Sequence, residues 1–367
     1  MSRHYFLGLA AGRKIGAAKQ LFTVGRKRDL EALREALGSK YGGTAVLCKN
    51  GRSGLAIALK ANFRRGDGIL VNGFTCFAVV EAIKEAGCVP IYVDISRDDL
   101  NYTEKSLEKA YKDGAKGVIV QNSLGNPVDI KMVEAFAKKH ELLIIEDLAH
   151  CAGIKYTDGR EAGTVGAATA LSFGKDKSID TTSGGAVVFR KAVEKEIVLT
   201  KNPKLSDNLR ARWYPTLAGW CRGLARVHLC GALMRLFVKL HFVEKSADNK
   251  LDITRRCTKW QAKLALQQLN SFKKSGEGVI RDFYLVNNRE ECMKELKKSG
   301  YHFDGFWYEK PVSPERYYAK VHFPEAECPV ATEVAAQIIN FPTYYKKSEL
   351  EKAVKIIKPY LIEEGSK

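Results

Sequence analysis

Lys177 lies in Ala170-Leu-Ser-Phe-Gly-Lys-Asp-Lys-Ser-Ile-Asp-Thr-Thr-Ser-Gly-Gly-Ala186, shortly after an apolar run that reads as a strand. A lysine so placed can form an imine with an aldehyde cofactor and then carry a proton between carbons as general acid and base. Alone it is one lysine in a polar loop, with Lys175 a nearby competitor. Asp147, in Ile144-Ile-Glu-Asp-Leu-Ala-His150, ends another apolar run. An acid there is partly desolvated and wants a cationic or protonated partner, which a pyridinium nitrogen would supply. The competing reading is an ordinary cap for the next helix.

Two further clusters follow strands. Lys49-Asn-Gly-Arg-Ser-Gly-Leu-Ala-Ile-Ala58 opens a helix with small and polar residues. The free N–H groups of such a helix start bind phosphate, so Gly51, Arg52 and Ser53 are candidates for a phosphate cradle. A plain cap fits the same residues. In Asn72-Gly-Phe-Thr-Cys-Phe-Ala-Val-Val-Glu-Ala-Ile83 an aromatic can cover a planar ring, or Phe74 and Phe77 simply fill the core.

These clusters need a frame. Strands are expected at 68–72, 89–94, 117–121, 142–146, 168–172 and 186–189, with helical patterns such as 130–140 between them. Repeated strand–helix–strand units imply an α/β fold with a mostly parallel sheet flanked by helices, and ligands in such sheets sit beyond the carboxyl ends of the strands. The expected organisation is a large α/β domain over 1–202, an apolar and basic helical insertion over 203–250, and a smaller α+β domain over 251–367. The last holds a long helix around Trp260–Leu269, the run Ile338–Pro342 and a closing helix over about 348–360. Residues 213–243 have no apolar run of the roughly 20 residues a transmembrane helix needs. They read as one or two amphipathic helices, either packed on the body or a second subunit, which is preferred, or lying on a membrane.

The formal net charge is +18 and the pI near 9.4. Such a field favours anionic partners such as nucleotides and phosphosugars, or simply reflects a lysine-rich surface. No basic motif with interleaved aromatics points to nucleic acid. The nine cysteines are scattered without a Cys-x-x-Cys pair, which argues for a reducing cytosol over a disulfide framework or structural zinc. The first residues contain too short an apolar stretch for a secretory signal.

In order and spacing these clusters resemble the DegT/StrS family of sugar aminotransferases, which use pyridoxal 5'-phosphate (PLP). Asn-Gly-Arg-Ser-Gly-Leu-Ala is similar to the family's phosphate turn, and Ile-Glu-Asp-Leu-Ala-His to its Glu-Asp-x-Ala-Gln. Ser-Phe-Gly-Lys-Asp-Lys is similar to Ser-Phe-x-x-x-Lys, Gly-Gly-Ala-Val-Val follows at the usual distance, and Asn340-Phe-Pro-Thr matches a Leu-Pro signature. The resemblance implies PLP-dependent transferase fold type I and a homodimer with shared active sites. It also implies transfer of an amino group, usually from glutamate, to a keto group of a nucleotide-linked sugar. It assigns the cofactor imine to Lys177 and the ring nitrogen to Asp147, and the phosphate to Ser172 and Ser53 with the Gly51–Arg52 backbone. His150 stands where Gln is usual, beside the cofactor's phenolic oxygen. Cys76 stands where a stacking aromatic is common, with Phe77 as its substitute. Thr254-Arg-Arg256 replaces Asn-Tyr-Arg, which reaches the partner subunit's site; Arg256 matches and Thr254 departs. Some relatives carry histidine in place of the lysine and dehydrate instead; Lys177 argues against that variant. Two other readings remain open at this point: a PLP-fold protein that has become a binding partner, and an enzyme docked on a membrane through 213–243 near a lipid-linked glycan pathway.

Overall fold

In a computed structural model, described for residues 4–6, 17–191, 197, 199–223, 230–240, 242, 250–275, 280–303, 307–343 and 347–362, the chain builds a seven-stranded sheet. Its strands are β1 (Thr44–Cys48), β2 (Gly68–Asn72), β3 (Val89–Val93), β4 (Ala115–Val120), β5 (Leu143–Asp147), β6 (Ala168–Ser172) and β7 (Gly185–Phe189). The order across the sheet is β1-β7-β6-β5-β4-β2-β3. Strands β2 to β6 run parallel, and β7 is antiparallel to both β6 and β1. The result is the mostly parallel central sheet flanked by helices that the repeated strand–helix–strand pattern implies.

Strand pleating sends alternate side chains to opposite faces. Ile69 and Val71 join a core with the helices Gly51–Asn62 and Phe77–Glu85, while Leu70 joins a second core with the helices Lys27–Tyr41, Ile130–Lys139 and Lys259–Ser275. Both faces are therefore covered, which is why these strands read as nearly continuous apolar runs. A third core belongs to the tail. There Arg281–Leu285 pairs antiparallel with Ile338–Pro342, and Cys292, Leu296, Phe341 and Ile357 pack together.

Two features differ from the sequence reading. Thr44–Cys48 is a strand that the pattern did not announce. It is a five-residue edge strand, leading directly into Lys49-Asn50, with burial on one side only at its start. The closing helix runs Lys347–Ile357 and tightens into a 3-10 turn over Lys358–Tyr360, because proline at 359 cannot donate the next helical hydrogen bond. In 203–250 the described residues form the helices Leu205–Gly223 and Cys230–Lys239. Among the described residues no helix is long and apolar enough to cross a membrane.

Candidate active site

The carboxyl ends of β5 and β6 and the start of the helix Gly51–Asn62 converge on a cavity of about 280 Å³. Lys177, Asp147, His150 and Ser172 line it, together with Gly51, Arg52 and Cys76. The chain brings Gly51 and Ser172 together by close backbone approach. A Cβ on Gly51 would stand 2.4 Å from the Ser172 Cβ, and one on Gly185 would stand 2.5 Å from the Asn50 carbonyl carbon. Only glycine permits either approach. The Asn50 side chain caps the helix by accepting from the Ser53 N–H at 2.8 Å, leaving the first backbone N–H groups at the cavity edge.

Lys177 is presented by a loop with two non-glycine residues in the left-handed region, Asp176 (φ 63°) and Thr182 (φ 63°). One carboxylate ties both down: the Asp176 and Thr182 N–H groups donate to Asp180, at 2.9 and 2.8 Å. Asp180 is in turn bracketed by Gln268, whose side chain accepts from its N–H and donates to its carbonyl, both at 2.8 Å. The helix Lys259–Ser275 thus holds the loop in a conformation that costs on the order of 1–3 kcal/mol per strained residue.

The site's electrostatics follow from burial. Burial pushes the Lys177 ammonium down from its ordinary value, opposed by Cys76, Asp147 and Asp176. Burial pushes the Asp147 carboxyl up, opposed by the Ala149 N–H, which donates to it at 3.0 Å, and by Lys177. His150 is held well below 6.5 by burial and by the cations Lys177 and Arg281. Its Nδ1 accepts from the Leu124 N–H at 3.3 Å, so the neutral ring carries its proton on Nε2.

Four expected residues lie off this cavity. Ser53 is fully buried, and its hydroxyl accepts from the Asp252 N–H at 3.0 Å. Phe77 stacks on Tyr317 with centroids 4.5 Å apart and does not cover the cavity. The Thr254 hydroxyl donates to Asp252 at 2.6 Å, and Arg256 donates through Nε to the Leu199 carbonyl at 2.7 Å. Within one chain neither reaches the main cavity.

The sequence reading missed an aromatic wall. Trp307 and Tyr308 line the cavity. The Lys177 Nζ stands 4.5 Å from the centroid of the Trp307 indole, the Arg281 guanidinium carbon stands 4.3 Å from it, and the His150 ring stands 5.0 Å away. Asn340 fixes this wall, donating to the Trp307 carbonyl at 2.8 Å while accepting from Arg281 at 2.8 Å. The signal available was the Trp-Tyr pair three residues before Pro311.

A cavity with a buried amine, a buried acid short of partners and a helix start beside a serine suits a phosphorylated, ring-nitrogen-bearing aldehyde. Residues 14–358 match the model of the DegT/DnrJ/EryC1/StrS aminotransferase family. The chain belongs to that family. It is therefore a PLP-dependent aminotransferase, and its cofactor is pyridoxal phosphate. A UDP-N-acetyl-3-dehydro-α-D-glucosamine 3-aminotransferase of Acidithiobacillus ferrooxidans is 25% identical over 329 residues, covering 86% of this chain and 83% of that protein. A pleiotropic regulatory protein of Geobacillus stearothermophilus is 24% identical over 315 residues, 82% of this chain and 80% of that one. Among solved structures, S. venezuelae DesV in complex with a ketimine intermediate superposes with a TM-score of 0.70 at 20% identity, covering 98% of each chain. A family member from Brucella abortus gives 0.68 at 18% identity, covering 96% of this chain and 98% of that one.

Proposed function

We propose that this enzyme transfers an amino group from glutamate to a keto group on a nucleotide-linked sugar, and that Lys177 holds the cofactor covalently. The observation that carries the reading is the pairing of a buried amine, Lys177, with a buried acid, Asp147, in a cavity that also holds the Gly51–Ser172 cradle. The residues fit the cofactor. Asp147, penalised by burial and given one N–H, gains a cationic partner when a ring nitrogen is protonated beside it. The N–H groups at Gly51 and Arg52 and the Ser172 hydroxyl offer donors to a phosphate. Bound there, PLP supplies an electron sink for the electrons of a substrate bond at carbon.

The chain supplies the rest. Burial lowers the fraction of charged Lys177, so its Nζ can act as nucleophile and then take and return a proton. His150 keeps a neutral Nε2–H for an oxygen at the cavity, a donor that does not add charge beside Lys177. The nucleotide-sugar part rests on the printed activity of the relative from Acidithiobacillus ferrooxidans and on the +18 charge, which suits a diphosphate. A homodimer in which Thr254 and Arg256 approach the partner's site belongs to the same reading, as does a cytoplasmic location.

The test is spectral. Glutamate added to the holoenzyme is expected to bleach the visible cofactor band, and a keto-sugar nucleotide to restore it while becoming aminated. If no amino donor bleaches the band, the transfer reading fails. If glutamate does and no sugar nucleotide restores it, the acceptor is wrong.

A further inference from the structure

Large apolar side chains exposed on this surface are not scattered. Among the described residues, all but Val89 and Leu143 fall on three neighbouring elements. Phe22 ends the short helix Ala17–Phe22 and Val24 follows it; that helix packs on the helix Leu205–Gly223, and Arg212 donates to the Thr23 carbonyl at 3.2 Å. Leu205, Leu209, Trp213 and Trp220 are exposed on that second helix, Trp220 at 60%. Leu236 and Leu240 are exposed on the helix Cys230–Lys239 and just after it, with Phe242 beyond, and that helix packs on the second.

The spacing shows that this is a face and not a frayed edge. On the helix Leu205–Gly223 the exposed residues recur at steps of four, four and seven, which is one side of a 3.6-residue turn. Ala211 and Ala218, on the other side, are buried against the body. On the helix Cys230–Lys239, Arg235 and Lys239 are exposed beside Leu236 and Leu240. Apolar residues flanked by long cations are the pattern that sits at a water–lipid boundary, the cations reaching back to the headgroups. From 208 to 243 the sequence has six lysines and arginines and no aspartate or glutamate.

We propose that this face docks the enzyme on an anionic lipid surface, with Trp213, Trp220, Leu236 and Leu240 entering the interface and Arg235 and Lys239 contacting headgroups. Charge decides the occupant. A symmetric contact with a second copy would set this acid-free stretch against itself, like charge against like, whereas an anionic leaflet complements it. Among the described residues no helix is long and apolar enough to span, and the contact proposed is a peripheral one. The same helix also faces the catalytic region. Asp207, Arg210, Ala211 and Tyr214, on its opposite side, line a second cavity of about 50 Å³ that shares Lys175, Thr182 and Ser183 with the first. One helix, about 10 Å across, therefore separates the docking face from a cavity adjoining the active site.

The proposal does not depend on the substrate, and its test reads binding. Holoenzyme is floated with vesicles of phosphatidylcholine alone and of phosphatidylcholine with phosphatidylglycerol in a two-to-one mixture. Flotation with the anionic vesicles, at least tenfold above that with the zwitterionic ones and weakened by salt, is expected. A Trp213→Ser/Trp220→Ser variant and an Arg235→Glu/Lys239→Glu variant should each lose roughly tenfold or more in partitioning, while keeping the visible cofactor band and the amino-transfer rate in solution. Absence of flotation, equal flotation on both vesicles, or wild-type partitioning by the charge-reversed variant would overturn it. So would loss of an oligomer in these variants without loss of lipid binding, which would assign the face to a second copy, or preference for a nucleic-acid probe over the vesicles. Loss of catalysis alone, with flotation intact, would fall on the functional reading and leave the docking face standing.

Discussion

Glu146 and Asp147 are consecutive acids on β5, and the pleat sends them to opposite sides of the sheet. Glu146 is fully buried and saturated. Its carboxylate accepts from the Tyr156 hydroxyl and the Gly163 N–H at 2.7 Å, from the Val165 and Gly166 N–H groups at 2.8 and 2.7 Å, and from Arg190 at 2.9 Å. Asp147 is almost as buried but lies on a cavity, and among the described residues one N–H is its hydrogen-bond donor. Both acids have been taken out of water; only one has been given a full set of partners by its own chain. A saturated carboxylate holds a fold together, whereas an undersupplied one is held ready for something that arrives later.

The comparison breaks most sharply if the two acids respond alike to loss of charge. Glu146→Gln keeps one carbonyl oxygen but turns an NH2 toward donors that met the other and removes the counter-charge of half-buried Arg190, so it should cost about 3–5 kcal/mol of stability, read as a fall in the denaturation midpoint of the apoenzyme. Asp147→Asn should leave that midpoint unchanged or slightly raised while lowering the amino-transfer rate on the order of 10²-fold or more. Its sign also shows in pH. Burial raises the Asp147 carboxyl, so the folded apoenzyme holds that proton more tightly than the unfolded chain does. The resulting stability is full below 3.8 and is lost as pH rises through the folded value. Asp147→Asn should remove that slope.

A smaller effect tests the cradle that faces Asp147. Gly51→Ala drives a methyl against the Ser172 Cβ and Cα, so the backbone must shift. Cofactor affinity, measured by titrating the apoenzyme with PLP, should fall about tenfold or more, and the overpacked methyl should cost about 1–3 kcal/mol of apoenzyme stability. Unchanged affinity would separate the cradle from the cofactor.

The smallest expected effect sharpens the picture at His150. Burial, Lys177 and Arg281 hold its ring neutral well below 6.5. The unfolded chain takes up a proton there first, so the folded state loses stability as pH falls below 6.5 toward the folded value. His150→Gln should lessen the apoenzyme's loss between pH 7 and 5.5 by about 1 kcal/mol, a shift of one unit being about 1.4. The denaturation midpoint at the two pH values checks it.

The sequence was readable where one local rule decides an element. The strands 68–72 and 168–172 appear at the bounds their apolar runs give, since both faces of the sheet are covered. The cavity ends of β5 and β6 followed from the rule that ligands sit beyond parallel strands. What stayed illegible depends on contacts distant in sequence. Ser53 read as a phosphate candidate or a plain cap because it opens a helix, but it is buried off the cavity, where its hydroxyl accepts from Asp252, far along the chain. Phe77 read as a ring cover or a core side chain, and its stacking partner, Tyr317, is one the sequence could not announce. Trp307 reaches Lys177 only because Arg281 and Asn340 seat it there. Asp147 alone stood out in the sequence as a candidate acid, and what makes its neighbour Glu146 structural is a set of partners that folding brings from 156 to 190.

The proposed reaction requires that Lys177, and not its neighbour Lys175, bond the cofactor. Both line the cavity, but the Lys175 Nζ lies 3.8 Å from the Tyr214 ring centroid, whereas the Lys177 Nζ lies 4.5 Å from that of the Trp307 indole. Borohydride reduction of the holoenzyme, followed by digestion and mass spectrometry, tests this directly. The phosphopyridoxyl group is expected on the peptide bearing Lys177, at that residue. Its appearance on Lys175, or on neither lysine, would contradict it.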